Sequence, residues 1–342
     1  MNTSRDDAPG ARRCPACSAD AAEPVFADAD GRCPSCGRPL AVNQDHIEEN
    51  LGPVAAVSDR GLRHHRNEDA FAIAVADTYG GPVAVAVVCD GVSSAPRPDE
   101  ASLTAALTAY KLLAEGAQRG EDPVDLSTTA VRAAGAALTE LANAGGAPAT
   151  TYVSAIVSRE KITVTWLGDS RAYWLAAESL VPVGPNDTID ILAGSRRVTR
   201  DDSIAEEIVA AGLASMEEAM ASPQAHVITR WLGADLPEPQ PHIEQFTPSG
   251  PGVLLICSDG LWNYRPEAAE LAAMALPAAL TRPVDAAADL VKFALDSGGL
   301  DNITVVLIPF PPQSEDLAAP APAETRVDLA ETRVDLVETR AN

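Results

Sequence analysis

Two hydrophobic periods alternate along residues 53–310 of this chain. Ala70–Ala76 and Val83–Cys89 are short β-rich runs parted by Tyr79-Gly80-Gly81-Pro82, which predicts a hairpin. Thr151–Val157 and Lys161–Leu167 predict a second hairpin, followed by a short run at Ala172–Leu175. Val253–Cys257 and Ile303–Ile308 read as short buried strands. Between them the period changes to that of a helix. From Glu100 to Ala117 the residues Leu103, Ala106, Leu107, Tyr110, Leu113 and Ala117 fall on one face, and Ala130–Leu141 repeats the pattern. Pro266–Leu276 and Pro283–Leu295 predict helices with Pro in the first turn. Ile204–Ala211 and Met216–Ala221 are shorter helical stretches. Strands paired with their sequence neighbours imply antiparallel sheet, and amphipathic helices must cover it. The expected class is α+β, built in layers.

Outside that region the pattern breaks down, and four further segments separate by composition. Residues 1–13 are polar and expected to be loose. Residues 14–42 hold four cysteines, and 43–52 read as a linker. Residues 311–342 open with Pro311 and Pro312, run through APAPAE and predict a disordered tail.

Composition narrows the partners. The chain of 342 residues carries 49 acidic and 25 basic residues, a formal net charge of −24. Most of it falls on residues 43–310. Such a surface repels polyanions, which argues against nucleic acid or an anionic membrane as partner. The apolar runs are far shorter than the ~20 residues of a membrane span. No apolar segment follows the N-terminal MNTSRDDAPG, so the expectation is a cytoplasmic protein. Cys14-x2-Cys17 and Cys33-x2-Cys36 predict a closed, tetrahedral structural zinc ribbon, whose fold depends on its metal and which has no catalytic role. A protein-docking role suits it better than nucleic acid, because residues 1–42 are not a basic footprint. Cys89 and Cys257 lie in apolar strands and read as small core residues.

The sharpest chemical signal is a repeated strand ending. Val85–Cys89 runs into Asp90-Gly91, Val253–Ser258 into Asp259-Gly260, and Val164–Gly168 into Asp169-Ser170-Arg171. Glu68-Asp69 precedes Ala70–Ala76, and Asp301-Asn302 precedes Ile303–Ile308. A carboxylate at the mouth of a buried strand is costly to ionise unless something compensates. One Asp-Gly is a common turn; five acidic sites at strand ends, in a chain with only 25 cations, ask for another compensation. Oxygen-only ligands suit Mg²⁺ or Mn²⁺, and two such ions ~3.5–4 Å apart activate a water and hold a phosphoryl oxygen. A P-loop is absent, and so is a serine nucleophile elbow.

In order along the chain, SDRGLRHHRNEDAF, VVCDGVSS, ATTYVSAIV, WLGDSRAYWL, ITRWLGAD, LLICSDGLW and DNITVVLI resemble the motif series of the metal-dependent serine/threonine protein phosphatases of type 2C, over about residues 53–310. The resemblance implies a four-layer α/β/β/α sandwich, two antiparallel sheets flanked by helices, with two Mn²⁺ or Mg²⁺ ions and a weaker third at one edge. It implies that Asp90 bridges both ions and Gly91 offers its carbonyl. Asp259 and Asp301 complete one ion's ligands, Glu68 serves the second ion's shell with Asp69 outside it, and Asp169 holds the third. Substrates would be phosphoserine and phosphothreonine proteins, hydrolysed by direct water attack in opposition to a bacterial Ser/Thr kinase.

Departures from the family pattern are specific. His64 stands where the family places a phosphate-binding Arg, so Arg63 or Arg66 takes that role. Asn263 stands four residues after Asp259, where members often carry an Asp that serves the third metal site. The DGxGG loop is Asp90-Gly91-Val92-Ser93-Ser94, and because no His follows Asp90 the leaving-group acid is either water or His64. Ala176–Pro241 resembles the variable flap over the family's site. The second reading is a phosphatase-fold scaffold, weakened by these changes, that recruits partners through the zinc ribbon and tail. In the tail, Glu324–Ala330 repeats as Glu331–Val337, and each copy holds Thr-x-x-Asp. That pattern resembles the target of forkhead-associated domains, with Thr325 and Thr332 as phosphorylated docking residues whose two copies add avidity.

Overall fold

The computed structural model describes residues 45–142, 146–177, 194–236 and 238–312. The cysteine motifs (Cys14, Cys17, Cys33, Cys36), Thr325, Thr332 and the repeats lie outside these residues. Six strands form one antiparallel sheet in the order β1 (His46–Asn50), β2 (Ala55–Asp59), β13 (Ile303–Phe310), β12 (Gly252–Cys257), β8 (Arg171–Ala176) and β9 (Arg196–Arg197). Five form the other, in the order β11 (His242–Phe246), β7 (Ile162–Leu167), β6 (Tyr152–Val157), β4 (Gly81–Asp90) and β3 (Asp69–Thr78). A two-stranded ribbon joins β5 (Ala149–Thr150) to β10 (Leu232–Gly233).

Strand periodicity sorts the core into layers. On β12, Leu254 and Ile256 pack with Val88, Val153 and Val164 of the other sheet, inside the sandwich. Their neighbours Val253, Leu255 and Cys257 pack instead against the helices α6 (Ala268–Ala279) and α7 (Pro283–Asp296), through Leu271, Leu276, Leu290 and Val291. The five-stranded sheet does the same with α1 (Pro98–Arg119) and α2 (Pro123–Ala142), where Val85, Val87 and Cys89 meet Ala105, Ala109, Leu113 and Val131. Strands buried on both faces read as unbroken apolar runs, which is why β12 and β13 lack alternation in the sequence. Cys89 and Cys257 are free, buried core residues, as expected. No helix among the described residues is long and apolar enough to cross a membrane.

Three boundaries differ from the sequence reading. His46–Asn50, read as linker, forms the edge strand β1 against β2. His46, Glu48 and Asn50 point to solvent, and charged outward positions are how an edge strand avoids further pairing. Helix α2 begins a full two turns before Ala130, because Asp122 Oδ1 accepts from the Val124 and Asp125 amides and caps a polar first turn. Helix α6 begins at Ala268 rather than Pro266 and runs through Pro277, so Pro266 lies ahead of its N-cap Glu267. The flap carries the two short helices expected of it, α3 (Ile204–Ala210) and α4 (Met216–Met220), each capped by a serine.

Candidate active site

Strand register brings the acidic endings to one edge of the sandwich. Asp69 opens β3 directly opposite Asp90, which closes β4. Cys257 closes β12 between Arg171 of β8 and Val305 of β13, so Asp169, Asp259 and Asp301, each two to four residues away in sequence, gather at the same end of the six-stranded sheet. The sheets are tied there. Asp69 Oδ2 accepts from Ser258 Oγ at 2.7 Å and from Thr304 Oγ1 at 2.7 Å. Thr151 Oγ1 accepts from the Asp90 amide at 3.0 Å and shares a hydrogen bond with Ser170, beside Asp169. A single helical turn, α5 (Asp259–Trp262), starts at Asp259.

The electrostatics follow from that crowding. Burial, followed by the charges of Asp69, Asp259, Asp169 and Asp301, pushes the Asp90 carboxyl well above the usual carboxylate range. Asp259 is pushed well up by burial and then by Asp169, Asp301 and Asp69. Burial raises Asp169 to about 7, with Asp201 adding to it. Burial raises Asp69 to about 6, against the opposing hydrogen bonds from Ser258 and Thr304. Nearby cations are committed elsewhere. Arg171 grips Asp201, and Arg66 reaches Glu68 at 3.0 Å and Asp99 at 3.4 Å.

Two observations test the fit of a divalent cation. Every donor is an oxygen, and Asp69 Oδ1 is buried without a hydrogen-bond partner. Among the described residues no three His, Cys, Asp or Glu side chains close into a ready-made ligand cluster. The carboxylates therefore gather as an acidic group rather than as a finished cage. Asp69, Asp90, Asp259 and Asp301 fit as holders of Mn²⁺ or Mg²⁺, and Asp169 stands beside them.

Glu68 is more enclosed than its motif implies. Oε1 accepts from Arg66 Nε at 3.0 Å and Oε2 from Ser93 Oγ at 2.6 Å. Its amide donates to Asn302 Oδ1, and its carbonyl accepts from Ser102 Oγ and the Gly91 amide. With both carboxylate oxygens engaged, Glu68 orients the surrounding loops. His64 Nε2 lies 3.1 Å from Asp301 Oδ1, while Arg63 is exposed. Asn263 Nδ2 donates to Asp259 Oδ2 at 3.1 Å, so the amide at that position holds Asp259 and does not add a carboxylate. Gly91 and Gly260 serve close backbone approach. A Cβ on Gly260 would collide with the Asn302 carbonyl oxygen, and one on Gly91 with that of Pro98.

Several working residues escape the sequence reading. Ser258, Thr304, Ser93, Asn302 and Ser102 hold the acidic residues in place. The first two are small hydroxyls at the ends of apolar strands, a pattern that marks inward-facing hydrogen-bond donors. Arg171, buried beneath Trp262, ties the flap to this edge through Asp201.

Known proteins carry the same frame. The family model for protein phosphatase 2C matches residues 62–293. The serine/threonine phosphatase stp of Listeria innocua is 32% identical over 160 residues, which is 46% of this chain and 56% of that protein. The chain spans about half the length of the curated relatives it matches. The crystal structure of the Mycobacterium tuberculosis serine/threonine phosphatase PstP/Ppp superposes with a TM-score of 0.58 at 27% identity, covering 74% of this chain and 96% of that one. The catalytic domain of PstP in complex with two manganese ions shares the fold, with a TM-score of 0.57 at 24% identity over 75% of this chain and 97% of that one. With its match running through all five acidic strand ends except the last, the chain belongs to the protein phosphatase 2C family.

Proposed function

We propose that this protein is a metal-dependent phosphatase that hydrolyses phosphoserine and phosphothreonine in proteins. The observation that carries the reading is the strand register that gathers Asp69, Asp90, Asp169, Asp259 and Asp301, five carboxylates from distant segments, at one edge of the sandwich. Asp90, Asp259 and Asp301 would hold the ions together with Gly91 and Asp69, and Glu68 would orient their shell. When bound, such ions supply Lewis-acid charge for the phosphoryl oxygens and activation of the attacking water. A water oxygen bonds to phosphorus as the bond to the Ser or Thr oxygen breaks, and that oxygen takes up a proton. Arg66 is committed to Glu68 and Asp99, which leaves Arg63 to clamp the phosphate. The N-terminal cysteines as a zinc ribbon, Thr325 and Thr332 as forkhead-associated docking residues, an opposing Ser/Thr kinase and a cytoplasmic setting belong to the same proposal.

The test is release of phosphate from a phosphothreonine peptide with and without Mn²⁺, comparing wild type with Asp259→Asn. Mn²⁺-dependent turnover that falls at least ~100-fold in the variant supports the reading. Turnover by metal-stripped protein, or turnover indifferent to the substitution, contradicts it.

A further inference from the structure

Beside the acidic edge lies a small surface that the fold takes unusual care to hold still. Residues 60–66 read Arg-Gly-Leu-Arg-His-His-Arg, three arginines and two histidines in an otherwise acidic chain. This loop is fastened to the turn that carries Asp301. The Leu62 amide donates to the Gly299 carbonyl at 2.8 Å, and Asn302 Nδ2 donates to the carbonyls of Arg60 at 2.7 Å and Arg66 at 3.1 Å. Arg60 Nη1 donates to the His64 carbonyl at 2.6 Å, and the Leu300 amide donates to Tyr264 Oη at 3.0 Å. Gly61 adopts φ 73°, where any side chain would strike the Asp301 carbonyl.

Two leucines stand out from this braced join. Leu62 is 65% exposed and Leu300 59% exposed. Leu62 lies across Gly299, the chain neighbour of Leu300. A leucine left in water on a rigid loop gains nothing for folding; it gains when a partner covers it. The position selects that partner. Asp301 is next in the chain to Leu300, Arg63 follows Leu62, and that exposed guanidinium suits a segment bearing a dianionic phosphate.

We propose that Leu62 and Leu300 form an apolar shelf that docks a large apolar side chain flanking the phosphorylated residue of a phosphopeptide substrate, while Arg63 gives that segment its charge complement. The shelf rests on the phosphatase reading and gives it a substrate class: phosphoserine and phosphothreonine sites with a bulky aliphatic or aromatic neighbour. It is built before substrate arrives, so its contribution is spent on selectivity rather than on ordering a loop.

The experiment compares kcat/KM, with Mn²⁺, for phosphothreonine peptides that differ only in carrying Leu or Ser at each of the two positions on either side of the phosphorylated residue. Wild type is expected to prefer Leu at one or more positions by at least about fivefold, the effect of covering roughly half a leucine side chain. The double variant Leu62→Ser, Leu300→Ser is expected to bring that ratio close to one, and Leu62→Met, Leu300→Met to preserve it. A wild type without preference, or a preference unmoved in the serine variant, overturns the shelf. Sedimentation that shows a wild-type dimer, a monomeric serine variant and an unchanged ratio also overturns it and assigns the leucines to a second copy of the chain. Wild type that hydrolyses none of the peptides with Mn²⁺ overturns the protein-phosphatase reading itself; hydrolysis of the peptides without a preference overturns only the shelf.

Discussion

Arg171 lays its guanidinium 3.5 Å from the centre of the Trp262 ring. That contact joins the strand that follows Asp169 to the helix turn that begins at Asp259. The ring nitrogen of Trp262 donates to the Asp169 carbonyl at 2.9 Å, while Arg171 forks onto Asp201 at 3.0, 3.1 and 2.7 Å. His226 of the flap stacks on the same ring, with centres 6.0 Å apart. Flap and acidic edge thus share one buried junction.

Removing the junction's cation is therefore expected to be costly. Arg171→Ala takes the fork from buried Asp201 and leaves it only Arg197 Nη1 at 3.7 Å, so the loss should approach the about 3–5 kcal/mol of a broken buried pair. Arg171→Lys keeps a charge but loses the planar fork and the stacking, and should fall between wild type and alanine. Urea unfolding reads both, and a loss below about 1 kcal/mol for Arg171→Ala would show that the pair does not anchor the flap.

The acidic endings, the two hairpins and the helical faces are legible in the sequence because each is a local pattern: alternation, period, a carboxylate where an apolar run stops. The clamp residues are not, because hydrogen-bond partners such as Ser258 and Asp69 stand 189 residues apart and only strand register brings them together. The same limit hides the junction at Arg171, whose partner Asp201 lies beyond a segment without strong period. Strand β1 escapes notice because its alternation is carried by charged residues, with Ile47 its only large apolar side chain. The glycines after Asp90 and Asp259 lie against distant backbone carbonyls, those of Pro98 and Asn302, a closeness that no local pattern announces.

That last point makes Gly260 a sensitive position. A methyl group there would overlap the Asn302 carbonyl, which is backbone and does not rotate away. Gly260→Ala must push the helix turn of Asp259 away from the Asp301 loop. The expected result is a loss of about 1–3 kcal/mol, the range for overpacking, together with a fall in Mn²⁺ affinity measured by calorimetry. Unaltered affinity would mean that the two loops need not touch.

Glu68, itself buried, has two exposed partners, one a neutral hydroxyl and one a cation. The Ser93 hydroxyl reaches Oε2 at 2.6 Å, and Arg66 holds Oε1 at 3.0 Å from a side chain that is 54% exposed. Hydrogen bonds to a charged group contribute about 1.5–3 kcal/mol, and exposed ion pairs about 0–1 kcal/mol. Ser93→Ala should thus destabilise more than Arg66→Ala in denaturant titration, and the reverse order would place the weight of Glu68's support on the arginine.

The raised carboxylates set a direction for stability against pH in metal-stripped protein. Burial holds Asp69 at about 6 and Asp169 at about 7 when folded, while an unfolded Asp titrates near 4. Between about pH 4 and pH 7 the folded chain binds more protons than the unfolded one, so stability falls as pH rises through that window. A tenfold difference in proton affinity between the two states corresponds to about 1.4 kcal/mol, and about 1 kcal/mol moves the melting temperature of a domain this large by roughly 2–4 °C. Stripped protein should therefore melt several degrees lower at pH 7.5 than at pH 5.5. Mn²⁺ added at pH 7.5 should recover the difference, because a divalent cation compensates the carboxylates in their charged form. Asp169→Asn should flatten the stripped profile by removing one of the groups that titrate. A melting temperature that stays level or rises from pH 5.5 to 7.5 without metal would mean that these carboxylates are compensated by the protein alone.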